Sequence, residues 1–188
     1  NMDSNLQQSM YDNANGTAVT FPSADTQIGA TMTDPSNGNV VAQIGGRNLK
    51  TLQGTNHARL KTRSSGSSIK PLLDYGPAIE YLNWPTYRTV EDKEYKYAGT
   101  DKNLSNWDGK FMGNITMRTA LTQSRNTPAA RTLEDVGGTD AGKFINGIGV
   151  PIDHTPGGAD AIGITASTEQ EAGAFGAIAN GGTYYKPT

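Results

Sequence analysis

The stretch from Ser67 to Leu82 constrains this 188-residue chain more than any other. Its apolar residues Ile69, Leu72, Leu73, Ile79 and Leu82 recur at helical spacing. Pro71 falls near the first turn, where a missing N–H costs least, and Pro77 is placed to kink the helix. A helix with one apolar face must bury that face against other elements. The helix predicted over 67–82 is therefore a core element, with Ser67 at its amino end facing the positive pole of the dipole.

Ser67 and Lys70 stand three residues apart in Gly66-Ser67-Ser68-Ile69-Lys70-Pro71. Residues at i and i+3 share one helix face, so the Lys70 amine can reach the Ser67 hydroxyl. A serine hydroxyl is a poor nucleophile until a base takes its proton. A lysine serves as that base when burial or cationic neighbours bring its pKa toward neutrality. The pair is a minimal serine acyl-transfer device. The other reading of the tetrapeptide is a solvated helix start with Ser67 as N-cap.

A second signal lies at Ser124-Arg125-Asn126, after the amphipathic stretch Ile115–Gln123 and before Thr127-Pro128. Proline at a first helical position is favoured, so the triplet reads as a short loop between helices, where polar side chains face a cleft. Its plainer reading is capping of the next helix by Asn126 or Thr127.

Together these motifs resemble the penicillin-recognising serine acyltransferases, marked by Ser-x-x-Lys, Ser-x-Asn and Lys-Thr/Ser-Gly. Further phrases narrow the resemblance to the transpeptidase domain of class A, bifunctional penicillin-binding proteins, in particular the streptococcal 1b group. They are Asp3-Ser4-Asn5-Leu6-Gln7-Gln8, Asp34–Ala42 with Gly45-Gly46-Arg47, Asn106-Trp107-Asp108-Gly109, and Ala179-Asn180-Gly181-Gly182-Thr183-Tyr184-Tyr185-Lys186-Pro187. The matches run from about residue 3 to the end. One departure stands out: no Lys-Thr-Gly or Lys-Ser-Gly follows residue 126, and Lys61-Thr62-Arg63 lacks the glycine. Thr155 to Ser167 is also compressed against the family's usual length. The chain is thus expected to be an incomplete transpeptidase domain.

The resemblance implies an α/β fold of the β-lactamase/transpeptidase type, an antiparallel sheet flanked by helices with a helical subdomain. Residues 1–26 would be the linker after a glycosyltransferase, and 27–188 the N-terminal part of the transpeptidase domain. It implies D,D-transpeptidation on stem peptides ending in D-Ala-D-Ala, with inhibition by β-lactams. Ser67 would be nucleophile, Lys70 general base, Ser124 proton relay and Asn126 a ligand of substrate and Lys70. Asn106 and Trp107 would line the groove, although a lone tryptophan more often packs. The partners implied are peptidoglycan, β-lactams and the remainder of the same protein carrying the third motif. The location implied is the outer face of the bacterial membrane, with the anchor upstream. A β-lactamase or a β-lactam-sensing domain on the same fold is the alternative; no glutamate motif for hydrolysis stands out after Asn126.

Composition limits other classes. Charged residues are 18%, against roughly 25% in typical soluble domains. Net charge is −2, and the chain shows no basic field for nucleic acid and no polybasic segment for anionic lipid. Cysteine is absent, which rules out disulfides and thiolate sites. His57 and His154 have no metal-ligand spacing, and no metal or cofactor is expected. No apolar run approaches the roughly 20 residues that span a bilayer, and Asn1-Met2-Asp3 is no signal peptide.

Along the chain, a helix is predicted over 3–11 and a hairpin over 27–33 and 39–45, joined by Asp34-Pro35-Ser36-Asn37-Gly38. Residues 47–65 and 83–113 read as irregular, the latter with short extended pieces and with Trp84, Tyr95 and Tyr97 in packing or loop structure. Helices follow over 114–123, 128–136 and 140–148. Ser167-Thr168-Glu169-Gln170 resembles a capping box opening a helix to about Ala179, with Glu169 and Glu171 as N-terminal charges. Thr183–Lys186 starts a strand with no partner within the chain.

Overall fold

The structure, a computed structural model, describes residues 2–50 and 54–188. In chain order the elements are α1 (Ser4–Asn15), β1 (Ala30–Thr33), β2 (Val40–Ile44), a 3₁₀ turn (Gly66–Ile69), a π turn (Pro71–Tyr75), α2 (Gly76–Leu82), β3 (Thr89–Asp92), β4 (Tyr95–Lys96), β5 (Asn103–Leu104), β6 (Gly113–Thr116), α3 (Met117–Thr122), α4 (Asn126–Val136), α5 (Gly138–Gly147), a 3₁₀ turn (Asp160–Ile162) and α6 (Thr168–Ala179). They fall into two compact units. One holds residues 1–63, 148–150 and 165–188, the other 64–147 and 151–164.

In the first unit, β1 and β2 pair antiparallel, with Ala30 opposite Ile44 and Met32 opposite Ala42. The turn between them is built from Asp34, whose Oδ1 accepts from Ser36 N at 2.8 Å, and from Gly38, whose φ of 79° suits glycine. The helix α1 starts at Asp3, whose carboxylate accepts from Asn5 and Leu6 N–H groups at 2.9 and 3.0 Å. The capping box is present: Ser167 Oγ accepts from Gln170 N, and Gln170 Oε1 accepts from Ser167 N. The C-terminal residues 183–188 correct the expectation of an unpartnered strand. They form no regular strand, yet Thr188 donates to Gly38 O and accepts from Val40 N.

The second unit buries Ile69, Leu72, Leu73, Ala78, Met117, Ala120, Ala129, Ala130, Leu133, Ala141 and Ile145. The long helix expected over 67–82 is a composite. Pro77 has no N–H, and Gly76 N donates instead to Pro71 O in a five-residue turn. One extra residue in a turn rotates every later side chain by about 100°. That rotation explains why Ile79, counted on the apolar face, is 47% exposed. Only glycine fits at position 76, where a Cβ would lie 2.6 Å from Pro71 O.

The region 83–113 is more regular than expected. β3 pairs antiparallel with β6, and β4 with β5. The helix expected from 114 begins instead at Met117, because Asn114–Thr116 belong to β6 and Thr116 Oγ1 caps the helix by accepting from Thr119 N. The β-branched Ile115 and Thr116 favour that extended start.

Candidate active site

All six residues singled out in the sequence lie in the second unit. Ser67 is the second residue of the 3₁₀ turn and is exposed. Its segment is pinned from below: Ser65 N donates to Ile164 O at 2.8 Å, and Ile164 N donates to Ser65 Oγ at 3.1 Å. The crossing chain comes close enough that a Cβ on Gly163 would meet Ser64 Oγ at 2.2 Å and Gly66 N at 2.9 Å. Gly163 also has a φ of 147°.

Lys70 follows one turn later and is fully buried at 0% exposure. Its Nζ donates to Asn126 Oδ1 at 2.7 Å, to Ser124 O at 2.9 Å and to Ser124 Oγ at 3.2 Å. The structure thus brings the two motifs together on one amine. Burial pushes the Lys70 ammonium down to about 8; the Asp74 carboxyl opposes this shift and the Arg125 guanidinium assists it.

Behind Lys70, one helical turn on, Asp74 is 0% exposed, and neither of its oxygens has a hydrogen-bond partner. Burial foremost drives its pKa well above the ordinary carboxylate range; Lys70 opposes and Asp160 adds to the rise.

The second motif is held from beneath. Ser124 has a left-handed φ of 49°, a conformation costly for a non-glycine residue. Arg125 is 1% exposed, and its Nε donates to Asp92 Oδ2 at 2.7 Å while Nη1 donates to Asp108 at 2.9 Å and Nη2 to Lys110 O. Asn126 opens α4 and donates from Nδ2 to Ser105 O at 2.8 Å, which orients its Oδ1 toward Lys70.

Asn106 and Trp107 occupy different environments. Asn106 is 4% exposed. Its Oδ1 accepts from Asn126 N at 2.7 Å and Thr127 N at 3.3 Å, and its Nδ2 donates to Asp92 Oδ1 and Lys110 O. The free N–H groups of α4 are therefore capped by a distant asparagine, and neither Asn126 nor Thr127 caps its own helix as the plainer reading had it. Trp107 is 71% exposed, with its indole N–H donating to Gln123 O at 3.1 Å.

Sequence reasoning passed over Asp92, Arg125 and Asp74. Arg125 was the variable middle of a motif, Asp92 one acid in a polar stretch, and Asp74 an acid on the helix. The one signal present was at Asp74, an acid beside the buried apolar residues Leu72 and Leu73.

Among the described residues no helix is long and apolar enough to cross a membrane, and no three His, Cys, Asp or Glu side chains group as metal ligands.

The family described as "Penicillin binding protein transpeptidase domain" matches residues 28–188. Penicillin-binding protein 1A of Streptococcus pneumoniae (strain ATCC BAA-255 / R6) is 41% identical over the whole chain, which spans 28% of that relative. Penicillin-binding protein 1A/1B of Bacillus subtilis (strain 168) is 38% identical over 99% of the chain and 21% of the relative. These streptococcal and bacillar relatives bear the 1A and 1A/1B names, where the sequence phrases suggested the streptococcal 1b group. Among solved structures, penicillin-binding protein 1A from Haemophilus influenzae superposes with a TM-score of 0.77 at 24% identity, over 86% of this chain and 25% of that one. The imipenem acyl-enzyme of penicillin-binding protein A from M. tuberculosis gives 0.80 at 16% identity, over 99% of this chain and 52% of that one. These two likenesses establish the β-lactamase/transpeptidase-like fold. The chain belongs to the penicillin-binding protein transpeptidase-domain family.

Proposed function

We propose that this chain carries the acylation machinery of a serine D,D-transpeptidase that cross-links peptidoglycan and is inhibited by β-lactams. The observation that supports it most is the buried Lys70 amine, lowered to about 8 and held by Ser124 and Asn126 one turn from Ser67. Neutral Lys70 takes the Ser67 proton as Oγ attacks the penultimate carbonyl of a stem peptide. A new ester C–O bond forms, the amide C–N bond breaks, and the proton passes through Ser124 to the departing D-Ala amine. An amine of a neighbouring stem then attacks the ester, returns the proton to Ser67 and forms the cross-link. Proton transfer by a placed group contributes about 10²–10⁴-fold. The Ser67 N–H serves as one oxyanion donor. The second belongs to the strand bearing Lys-Thr/Ser-Gly, so acylation requires that segment of the protein; one such donor carries about 10²–10³ in rate.

In this reading residues 27–188 are the N-terminal part of the transpeptidase domain, residues 1–26 link it to a glycosyltransferase, and the protein is anchored at the outer face of the membrane. Trp107 borders the groove, and Asn106 acts on substrate indirectly, by holding Asn126.

The test is intact-mass spectrometry of the full-length protein before and after exposure to a penicillin, with peptide mapping. A covalent increment on Ser67, lost in Ser67→Ala and slowed by about 10² or more in Lys70→Met, is the expected result. An increment on another residue, or none, would refute the assignment.

A further inference from the structure

We propose that Asp92 is a positioning residue for acylation, acting through Arg125 and Asn106 to hold Ser124 and Asn126 against Lys70. This inference rests on the transpeptidase reading above.

Among the described residues, the acceptors of the Lys70 amine come from residues 124 and 126. Neither residue is placed by helix geometry alone, since Ser124 precedes α4 in a left-handed conformation and Asn126 is its first residue. Arg125 stands between them, and its guanidinium forms a buried pair with Asp92. Its Nε, Nη1 and Nη2 reach three separate residues, so the fork has little freedom to rotate. Anchoring the middle residue on one side fixes the two flanking side chains on the other.

Asp92 is the centre of this arrangement. Its Oδ1 accepts from Asn106 Nδ2 at 2.6 Å and Thr127 Oγ1 at 2.7 Å, and its Oδ2 from Arg125 Nε at 2.7 Å and Met112 N at 2.9 Å. Four donors fill the roughly four lone-pair positions of a carboxylate. Through Asn106 the same acid reaches the backbone N–H of Asn126. Asp92 lies 0% exposed at the end of β3, a strand paired to β6. A paired strand is a rigid reference, and the network transmits its position to the loop that holds the base.

A buried ion pair is weak support for stability in itself, because apolar replacements of equal volume are often neutral. Its value here is geometric. A displacement of about 1 Å at a reacting group can cost about 10²-fold in rate.

The experiment measures penicillin acylation of the full-length protein by stopped flow, separating the pre-covalent dissociation constant from the first-order constant k2 at saturation. An unfolded fraction lowers the amplitude and leaves k2 unchanged, so k2 reports positioning and not stability. Asp92→Asn removes the charge, and Arg125→Lys keeps a cation but removes the fork. The expected result is a fall in k2 of about 10²-fold in Asp92→Asn and a smaller fall in Arg125→Lys, with the pre-covalent constant within about threefold in both. If Asp92→Asn yields no folded protein, Arg125→Lys alone decides. A k2 within about threefold of the native value in the folded variants overturns the inference. Absence of Ser67 acylation in the native protein would instead refute the transpeptidase reading itself.

Discussion

Two aspartates of the second unit, Asp74 and Asp92, are both fully buried, and they behave oppositely. Asp74, on the π turn behind Lys70, has no hydrogen-bond partner for either oxygen, and burial raises its pKa well above the ordinary range. Asp92, beneath the second motif, is also pushed upward by burial. Hydrogen bonds from Thr127, Asn106, Met112 N and Arg125 outweigh that push and hold it below the ordinary range. Burial by itself therefore does not decide the charge of an acid. The number of donors aimed at it does. One acid, next to Lys70, is pushed toward its protonated form. The other is kept ionised where a fixed charge is needed to hold Arg125.

The largest way to break this comparison is truncation. Asp92→Ala leaves Arg125 without its most buried partner and removes the acceptor of three other donors. Urea denaturation at pH 7 should show a loss of about 3–5 kcal/mol. Asp74→Asn in the same assay should give no such loss; equal losses would erase the distinction.

The two acids should also respond to pH with opposite signs. A carboxyl with a raised folded pKa contributes stability that is full below its unfolded value near 3.9 and is lost as pH rises through the folded value. A depressed one contributes above about 3.9 and loses that contribution as pH falls through its folded value. The stability difference between Asp74→Asn and the native protein should therefore favour the variant at pH 7 and shrink toward pH 4. A difference that is flat with pH would mean Asp74 is not protonated in the folded state.

The smallest expected effect is on the base. Acylation should rise with pH through about 8 as Lys70 loses its proton. The Asp74 carboxyl opposes the lowering of the Lys70 pKa, so Asp74→Asn should move this limb to lower pH. A limb that stays in place would show that Asp74 exerts no charge on Lys70.

Much of the scaffold was legible in the residues. The turn at Asp34–Gly38 and the capping box at Ser167 and Gln170 are short-range features, and each appears where the local pattern puts it. The errors occurred where a distant contact overrode a local preference. Ile79 left the apolar face because a π turn inserted one residue. Residues 114–116 joined β6 because β3 offered them a partner. Asn106 carries a groove motif's name and serves as a buried cap for α4.

The sequence by itself determined which groups are available: a serine and a lysine at i and i+3, and a Ser-x-Asn triplet, because helix geometry makes such spacing meaningful without further context. Only the tertiary structure decided their chemistry. The acceptors of Lys70 come from residues 54 and 56 positions away, and the partner of Arg125 from 33. Desolvation and donor count depend on what packs around a group and not on its neighbours in the chain. The raised pKa of Asp74 and the lowered pKa values of Asp92 and Lys70 all follow from that packing.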